Sequence, residues 1–511
     1  MIHGAARLAI ILLLAGNPGP PASSAPQDPE AAVRLFADAG RLATEGDLEA
    51  ALRNYELLVQ QFPAADLADD ALLRVASGRW QLRDRAGAES AVAALKADYA
   101  RTAGAAGAFV LEGDIRTATS TGAADLQAAR EAYRSAVLLY GRADFPVLVW
   151  RAPALLGAGE ASLKLGESRV AAAHFVAAIE DEPHSGFTDV ARLQLATLLM
   201  RGGEWQAAAD ILQRVVDEGT QQSASHVVDP VVTGRARRRL ELIHRLQLRP
   251  SLSQSPWEAA RQLRFSGPQL ENPEGIGVAG ERVVIVDPGI PLIAVVEPDG
   301  TLSDRVPSAE ASHPWWGGTG QPYVATRRSV LNLATRERQD FMGPDGSEMK
   351  PVEGLTAAAH GLHRQWFVLD SNRRQVLMYD EAASYRSLLM GNDDSEPVDL
   401  AVDYLGRLHV LDRRSKAVLR FGPEGGERTR VMQREWRRPE ALAVDDLGNL
   451  YVLDRDARTI EVFDGAGQLL WQLGPQLPGG AELRGPRDIS VDGAGRIFVA
   501  DRDLKAFLVI E

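Results

Sequence analysis

The sequence predicts a multidomain α + β protein, an α-helical solenoid followed by an all-β six-bladed propeller. Three observations carry this. Segments starting at Pro397, Pro439 and Pro486 repeat one plan of proline, apolar strand, Asp, Gly-containing turn, apolar strand, Asp, polar turn and apolar strand. Their starts lie 42 and 47 residues apart, the length of a four-stranded blade. From Ala31 to about Leu248 the apolar period is instead helical. A chain of 511 residues is also too long for one ordinary core.

Composition narrows the chemistry. The net charge is −13, and residues 256–511 hold 30 basic against 39 acidic side chains, so duplex nucleic acid is not an expected partner. The chain has no cysteine, which excludes disulfides, thiolate metal sites and a cysteine nucleophile. At the N-terminus Arg7 precedes an apolar run, Leu8 to Ala15, followed by a Pro/Ser/Ala stretch. This predicts an export signal over residues 1–24, with Ala22 and Ser24 at the small positions, then a disordered linker at 25–30. The run is short for a membrane span, so no stable insertion is expected after cleavage. The stretch at 13–17 is similar to a bacterial lipobox, but Asn17 stands where lipid attachment needs Cys. The expected location is periplasmic or secreted.

Within the helical part, assigned to 31–250, Gly46-Asp47-Leu48 forms an inter-helix turn, Ala51 a small contact, Tyr55 its aromatic partner and Pro63 a stop. The plan returns with Gly159, Gly166, Ala171, Phe175, Ala178 and Pro183, and again with Gly203, Trp205, Ala208 and Leu212. Weaker copies lie at 71–99 and 105–146, the latter with a longer turn around Thr119 to Gly122. These segments resemble tetratricopeptide repeats, in particular those of bacterial envelope proteins. The resemblance implies stacked helix pairs with a concave face for a peptide or protein. A basic helix with Arg235, Arg237, Arg238, Arg239, Arg245 and Arg249 follows. It reads as a cap on the stack with Leu240, Ile243 and Leu246 inward, ended by Pro250 and a linker at 251–255.

In the propeller, assigned to 256–511, Gly406, Gly448 and Gly495 sit where a hairpin turn needs positive φ. Asp412, Asp454 and Asp501 end the second strands, where a carboxylate accepts turn N–H groups. The proline, VD-x-x-G, YV-x-D and I-x-V-F steps resemble the NHL repeat. Counting back from the clear copies gives six starts, Pro273, Pro314, Pro351, Pro397, Pro439 and Pro486. The chain ends after the third strand of the last blade, so residues 261–267 are predicted to supply its fourth.

The residues just after each proline should ring the channel mouth: Glu274, Trp315, Trp316, Glu353, Asp399, Glu440, Arg487 and Asp488. Such a ring suits a cation, a basic peptide or, through the tryptophans, a sugar or aromatic group. His360 and His363 form an H-x-x-H without a third placed ligand. No Ser–His–Asp order, phosphate loop or zinc-protease motif is present. The expectation is therefore a non-catalytic interaction scaffold of a bacterial-type envelope. Proteins or peptides would dock on the array and the propeller mouth, with no required cofactor and calcium the one candidate. The alternative is a metal-dependent hydrolase or lyase with its site in the propeller channel.

Overall fold

The computed structural model describes residues 29–120, 122–139, 150–221, 228–248, 255–279, 281–308, 310–316, 321–361, 365–391, 394–423, 425–426 and 428–511. The expected export signal with Asn17, the linker up to residue 28, Arg249, Pro250 and His363 lie outside these residues. The chain divides into two compact units, Met1–Arg237 and Arg238–Glu511.

The first unit contains five helix pairs among the described residues. They are α1 (Pro29–Thr44) with α2 (Leu48–Gln61), α3 (Ala68–Gln81) with α4 (Arg85–Asp98), α5 (Ala103–Thr119) with α6 (Ala123–Leu139), α7 (Arg151–Lys164) with α8 (Ser168–Asp181), and α9 (Gly186–Arg201) with α10 (Trp205–Gln221). Each helix packs on the next, and α3, α5, α7 and α9 also pack in a row. One apolar face per pair cannot be buried alone, so the pairs stack. The second helices repeat one buried pattern: Ala51 with Tyr55, Ala88 with Val92, Ala129 with Tyr133, Ala171 with Phe175 and Ala208 with Leu212. At Tyr133 and Phe175 the large member fills a groove opened by glycine on a neighbouring helix. A Cβ on Gly159 would come 2.3 Å from the Phe175 ring, and one on Gly157 2.3 Å from the Tyr133 ring. The first helix begins at Pro29, two residues ahead of the sequence-based start, with proline at its head, where no N–H is needed, and Glu30 in its first turn.

The second unit begins within α11 (Pro230–Leu246), not at residue 256. The part of this helix from Arg238 onward packs on propeller turns. Arg238 faces Asp446 at 3.7 Å, Arg239 lies over the Tyr404 ring at 5.2 Å, and Arg245 donates to the Ala494 carbonyl. Ile243 and Leu246 are fully buried and Leu240 nearly so. Leu242, equally buried, faces Gly495.

Six four-stranded antiparallel sheets follow. The inner strands are β2 (Gly275–Ala279), β6 (Ala311–Trp316), β12 (Leu355–His360), β16 (Pro397–Val402), β20 (Pro439–Val444) and β24 (Pro486–Val491). The second strands are β3 (Arg282–Asp287), β7 (Pro322–Thr326), β13 (Trp366–Asp370), β17 (Leu408–Asp412), β21 (Leu450–Asp454) and β25 (Ile497–Asp501). Two starts differ from the sequence-based count. Pro314 lies inside β6 and not at its head, and Pro351 belongs to an extra hairpin, β10 (Met342–Asp345) with β11 (Glu348–Pro351). Both prolines sit near a blade start by spacing, but the hydrogen-bonded register puts the true heads at Ala311 and Leu355.

In five of the six blades one carboxylate ends the second strand and fixes the loop geometry. Asp454 accepts the backbone N–H groups of Arg437, Arg438 and Ala457, and Asp501 those of Arg484, Gly485 and Leu504. Each therefore ties the segment ahead of its own inner strand to the turn after its second strand. Blade two replaces this Asp with Thr326, which bonds Ser329 instead. The glycines at 406, 448 and 495 adopt φ of 77°, 84° and 76°, as the tight inner turns require.

The last sheet is closed by the start of the unit: β1 (Ala260–Gln262) pairs with β26 (Ala506–Ile510). The closing strand begins one residue earlier than the sequence suggests and is shorter. Trp257 anchors it, buried to 1% exposure, with its indole N–H donating to the Gly495 carbonyl at 2.8 Å.

Two outcomes follow for stability. Gly159→Ala should cost about 1–3 kcal/mol, read from urea unfolding, because the Phe175 ring fills the space. Deleting residues 256–267 should lower the thermal midpoint of the propeller sharply by opening the last sheet, whereas an unchanged melt would show that the ring does not depend on this strand.

Candidate functional site

Superposing the strand registers places one residue of each inner strand at the same level of the channel. Asp399 pairs with Leu411, Ala441 with Leu453, Asp488 with Ala500, Ala357 with Leu369 and Gly275 with Val286. In blade two a bulge between Ala311 and Pro314 puts His313 at this level. The ring thus reads Gly275, His313, Ala357, Asp399, Ala441, Asp488. Polar and small residues alternate, so three ligand-bearing side chains from alternate blades enter a space that the small residues leave open.

They converge. The ligand atoms of His313, Asp399 and Asp488 all lie within 4.8 Å of one another. His313 Nδ1 stands 3.7 Å from Asp399 Oδ1 and 4.0 Å from Asp488 Oδ2, too long for hydrogen bonds. The carboxylates are aimed by backbone. Asp399 accepts N–H from Leu400 at 2.8 Å and from Leu442 of the next blade at 2.7 Å. Asp488 accepts N–H from Ile489 at 2.8 Å and from Ile276 of blade one at 2.9 Å. The His313 ring is stacked on Trp315, centroids 6.2 Å apart.

Electrostatically the cluster is short of positive charge. Burial pushes both aspartates up to about 7, with Glu440 adding to the rise at Asp399 and Asp399 to that at Asp488. Burial also lowers the His313 imidazole, against the pull of Asp488. A divalent cation would reverse both costs by favouring ionised carboxylates and a neutral imidazole. The donor set and its close spacing fit such an ion.

The ring residues singled out from sequence fall into four groups. Asp399 and Asp488 belong to the cluster. Glu274, Glu440 and Arg487 sit one residue nearer the strand heads, where Arg487 Nη1 is 3.6 Å from Glu440 and Arg502 is 3.7 Å from Glu274. Glu353 stands apart: it precedes β12, is largely exposed and faces Arg328 at 3.7 Å. Trp315 and Trp316 lie deeper along β6 than expected, because Pro314 is not the strand head. Trp315 stacks on Tyr323 with centroids 5.5 Å apart, and Trp316 donates to the Gly277 carbonyl. His360 ends β12 and lies against Trp366, centroids 3.8 Å apart.

His313 escaped the sequence reading. A signal for it exists: Asp399, Ala441, Asp488 and Ala357 each lie 13 residues before the end of their second strand, and His313 lies 13 before Thr326. Anchoring on the second strand finds it; anchoring on proline does not.

Comparison with known proteins yields no matching family model and no matching curated protein. Among solved structures, a virginiamycin B lyase from Staphylococcus aureus is 14% identical, covers 48% of this chain and 82% of its own, and gives a TM-score of 0.37. A gluconolactonase from Xanthomonas campestris is 15% identical over 47% of this chain and 86% of its own, with a TM-score of 0.39. A calcium-binding protein, regucalcin, from Agrobacterium tumefaciens is 10% identical over 50% and 93%, with a TM-score of 0.38.

The expectation of a non-catalytic interaction scaffold is corrected by the His313–Asp399–Asp488 cluster. A scaffold has no need to converge a half-buried imidazole and two buried carboxylates from alternate blades on the channel. Buried carboxylates of this kind are costly unless used. The expectation of no cofactor likewise narrows to a cluster able to coordinate a metal ion. No helix among the described residues is long and apolar enough to cross a membrane.

The sign of the pH dependence follows from the raised carboxylates. In the native state they hold protons up to about pH 7, which the unfolded chain has already lost above the ordinary carboxylate range. Their contribution to stability is therefore present at low pH and lost as pH rises through that window. In chelator the thermal midpoint should fall between pH 5 and pH 8, with a shallower fall in Asp488→Asn. A divalent cation should stabilise more at pH 8 than at pH 5, since it competes with the protons; equal stabilisation at both would place the ion elsewhere.

Proposed function

We propose that this protein is a metal-dependent hydrolase or lyase whose site is His313, Asp399 and Asp488 in the propeller channel. The convergence of these three ligand groups at one level of the channel is the observation that carries the reading. Bound there, a divalent cation supplies Lewis-acid polarisation of a carbonyl or ester oxygen, or a more acidic water. The two carboxylates suit calcium and the imidazole suits zinc, so both are candidate ions.

The chain's own groups supply the rest. The N–H groups of Leu400, Leu442, Ile489 and Ile276 hold the two carboxylates in fixed orientation, so little reorganisation is needed on binding. Trp315, beside His313 and with an indole N–H that has no acceptor, offers a flat wall and one donor to a substrate.

In this reading the helical array is the tether. Its small-to-aromatic contacts support the tetratricopeptide resemblance, and the per-blade Asp clasps support the NHL resemblance. The array would hold the enzyme against an envelope protein, with the export signal placing it in the periplasm or outside the cell.

The test uses the full chain. Metal content after purification, and binding of calcium and zinc to chelator-treated protein, should show one ion per chain that is lost in His313→Ala and Asp399→Ala. A screen of lactones and esters should reveal turnover that chelator abolishes and the bound ion restores. A chain that binds no ion, with a melt indifferent to chelator, would end the metal-dependent reading.

A further inference from the structure

The second strands of blades four, five and six each end in Asp-Arg, and the arginine reaches toward the inner strand of the next blade. At the junction of blades four and five, Arg413 meets Glu440 at 2.7 Å. At the junction of blades six and one, Arg502 meets Glu274 at 3.7 Å. Between blades five and six the equivalent of these glutamates is Arg487, so Arg455 meets a like charge. Arg455 turns instead to Glu440 at 3.8 Å, a carboxylate already taken by Arg413 and approached by Arg438 and Arg487.

The consequence is that Glu440 is shared by four arginines, Arg413, Arg438, Arg455 and Arg487. Arg413, Arg438, Arg455, Arg487 and Arg502 face Glu274, Glu396 and Glu440. Neither Arg455 nor Arg487 comes within hydrogen-bond distance of Glu440, the carboxylate they share. Arg487 is only 12% exposed, and its buried Nε has no partner in the protein. A nearly buried guanidinium without a hydrogen bond is costly unless something accepts from it. Arg455 also lines a polar cavity of about 270 Å³ with Asp456, Arg458, Arg484, Gly485 and Asp503.

We infer that the blade five–six junction is a binding site for an oxyanion, a phosphate or carboxylate group of a small ligand, held by Arg455 and Arg487. Guanidinium groups bind such planar or tetrahedral oxygen pairs through charge-assisted hydrogen bonds. The broken acid–arginine pattern is what opens the position: a glutamate at 487 would pair Arg455 internally, as Glu440 pairs Arg413. The site lies one residue outward of Asp488 on the same strand and does not depend on the cation reading.

Isothermal titration of the full chain at low ionic strength tests it, with inorganic phosphate and succinate as separate probes. At least one should bind saturably, and the two arms distinguish a phosphoryl from a carboxylate ligand. Arg487→Gln and Arg455→Gln should each weaken binding about tenfold or more, the loss of one charge-assisted contact. Arg487→Glu should keep the fold, checked by circular dichroism, and abolish binding. Arg336→Gln, which removes an exposed pair with Asp304 elsewhere on the propeller, should leave binding unchanged. No binding of either probe up to about 10 mM, or equal losses in Arg336→Gln and Arg487→Gln, would overturn the assignment.

Discussion

Pairing of β1 with β26 is the constraint on which the second unit depends. Five of the six sheets are built from consecutive strands, and only the sixth needs a strand from the far end of the unit. Glu258 and Ala259 donate to the Glu511 carbonyl, and Glu511 donates back to Ala259. Once the ring is closed the inner strands face a common axis. Only then do His313, Asp399 and Asp488, from blades two, four and six, come within a few ångströms of one another.

The channel and its mouth show how a repeat is bent toward function. In a repeating blade, a residue that recurs from copy to copy serves the blade, as the second-strand aspartates of five of the six blades do. A residue that breaks the repeat is free to serve something else. His313 and the two aspartates alternate with Gly275, Ala357 and Ala441, and Arg487 replaces the glutamate that two other junctions carry. Both departures leave charge imperfectly matched, as buried like charges in one case and guanidinium groups that share one carboxylate without a hydrogen bond in the other, and a bound ion of opposite sign would relieve each.

Much of the fold was legible in the chain. Periodicity and glycine placement gave the helix pairs, and the 42-residue spacing gave the blades, including a degenerate one and the closing strand. Of the site, Asp399 and Asp488 were legible because their blades begin with proline at the strand head. Glu353 was misplaced because an added hairpin, β10 with β11, carries its proline. Trp315 and Trp316 were misplaced, and His313 overlooked, because a bulge shifts β6 by several residues against its apparent start. Bulges and inserted hairpins alter register without altering composition, so a count along the chain does not detect them.

The sequence by itself determined the two architectures, the acidic balance, the absence of cysteine chemistry and the turns that need positive φ. These are local properties, set by periods of a few residues or by the residue type. The tertiary structure alone decided that a histidine and two aspartates up to 175 residues apart share one level of the channel. It also decided that four arginines gather on Glu440, and that the basic helix lays Arg238, Arg239 and Arg245 on propeller turns. Each depends on which strand heads meet around the axis, and ring closure fixes that rather than any single segment.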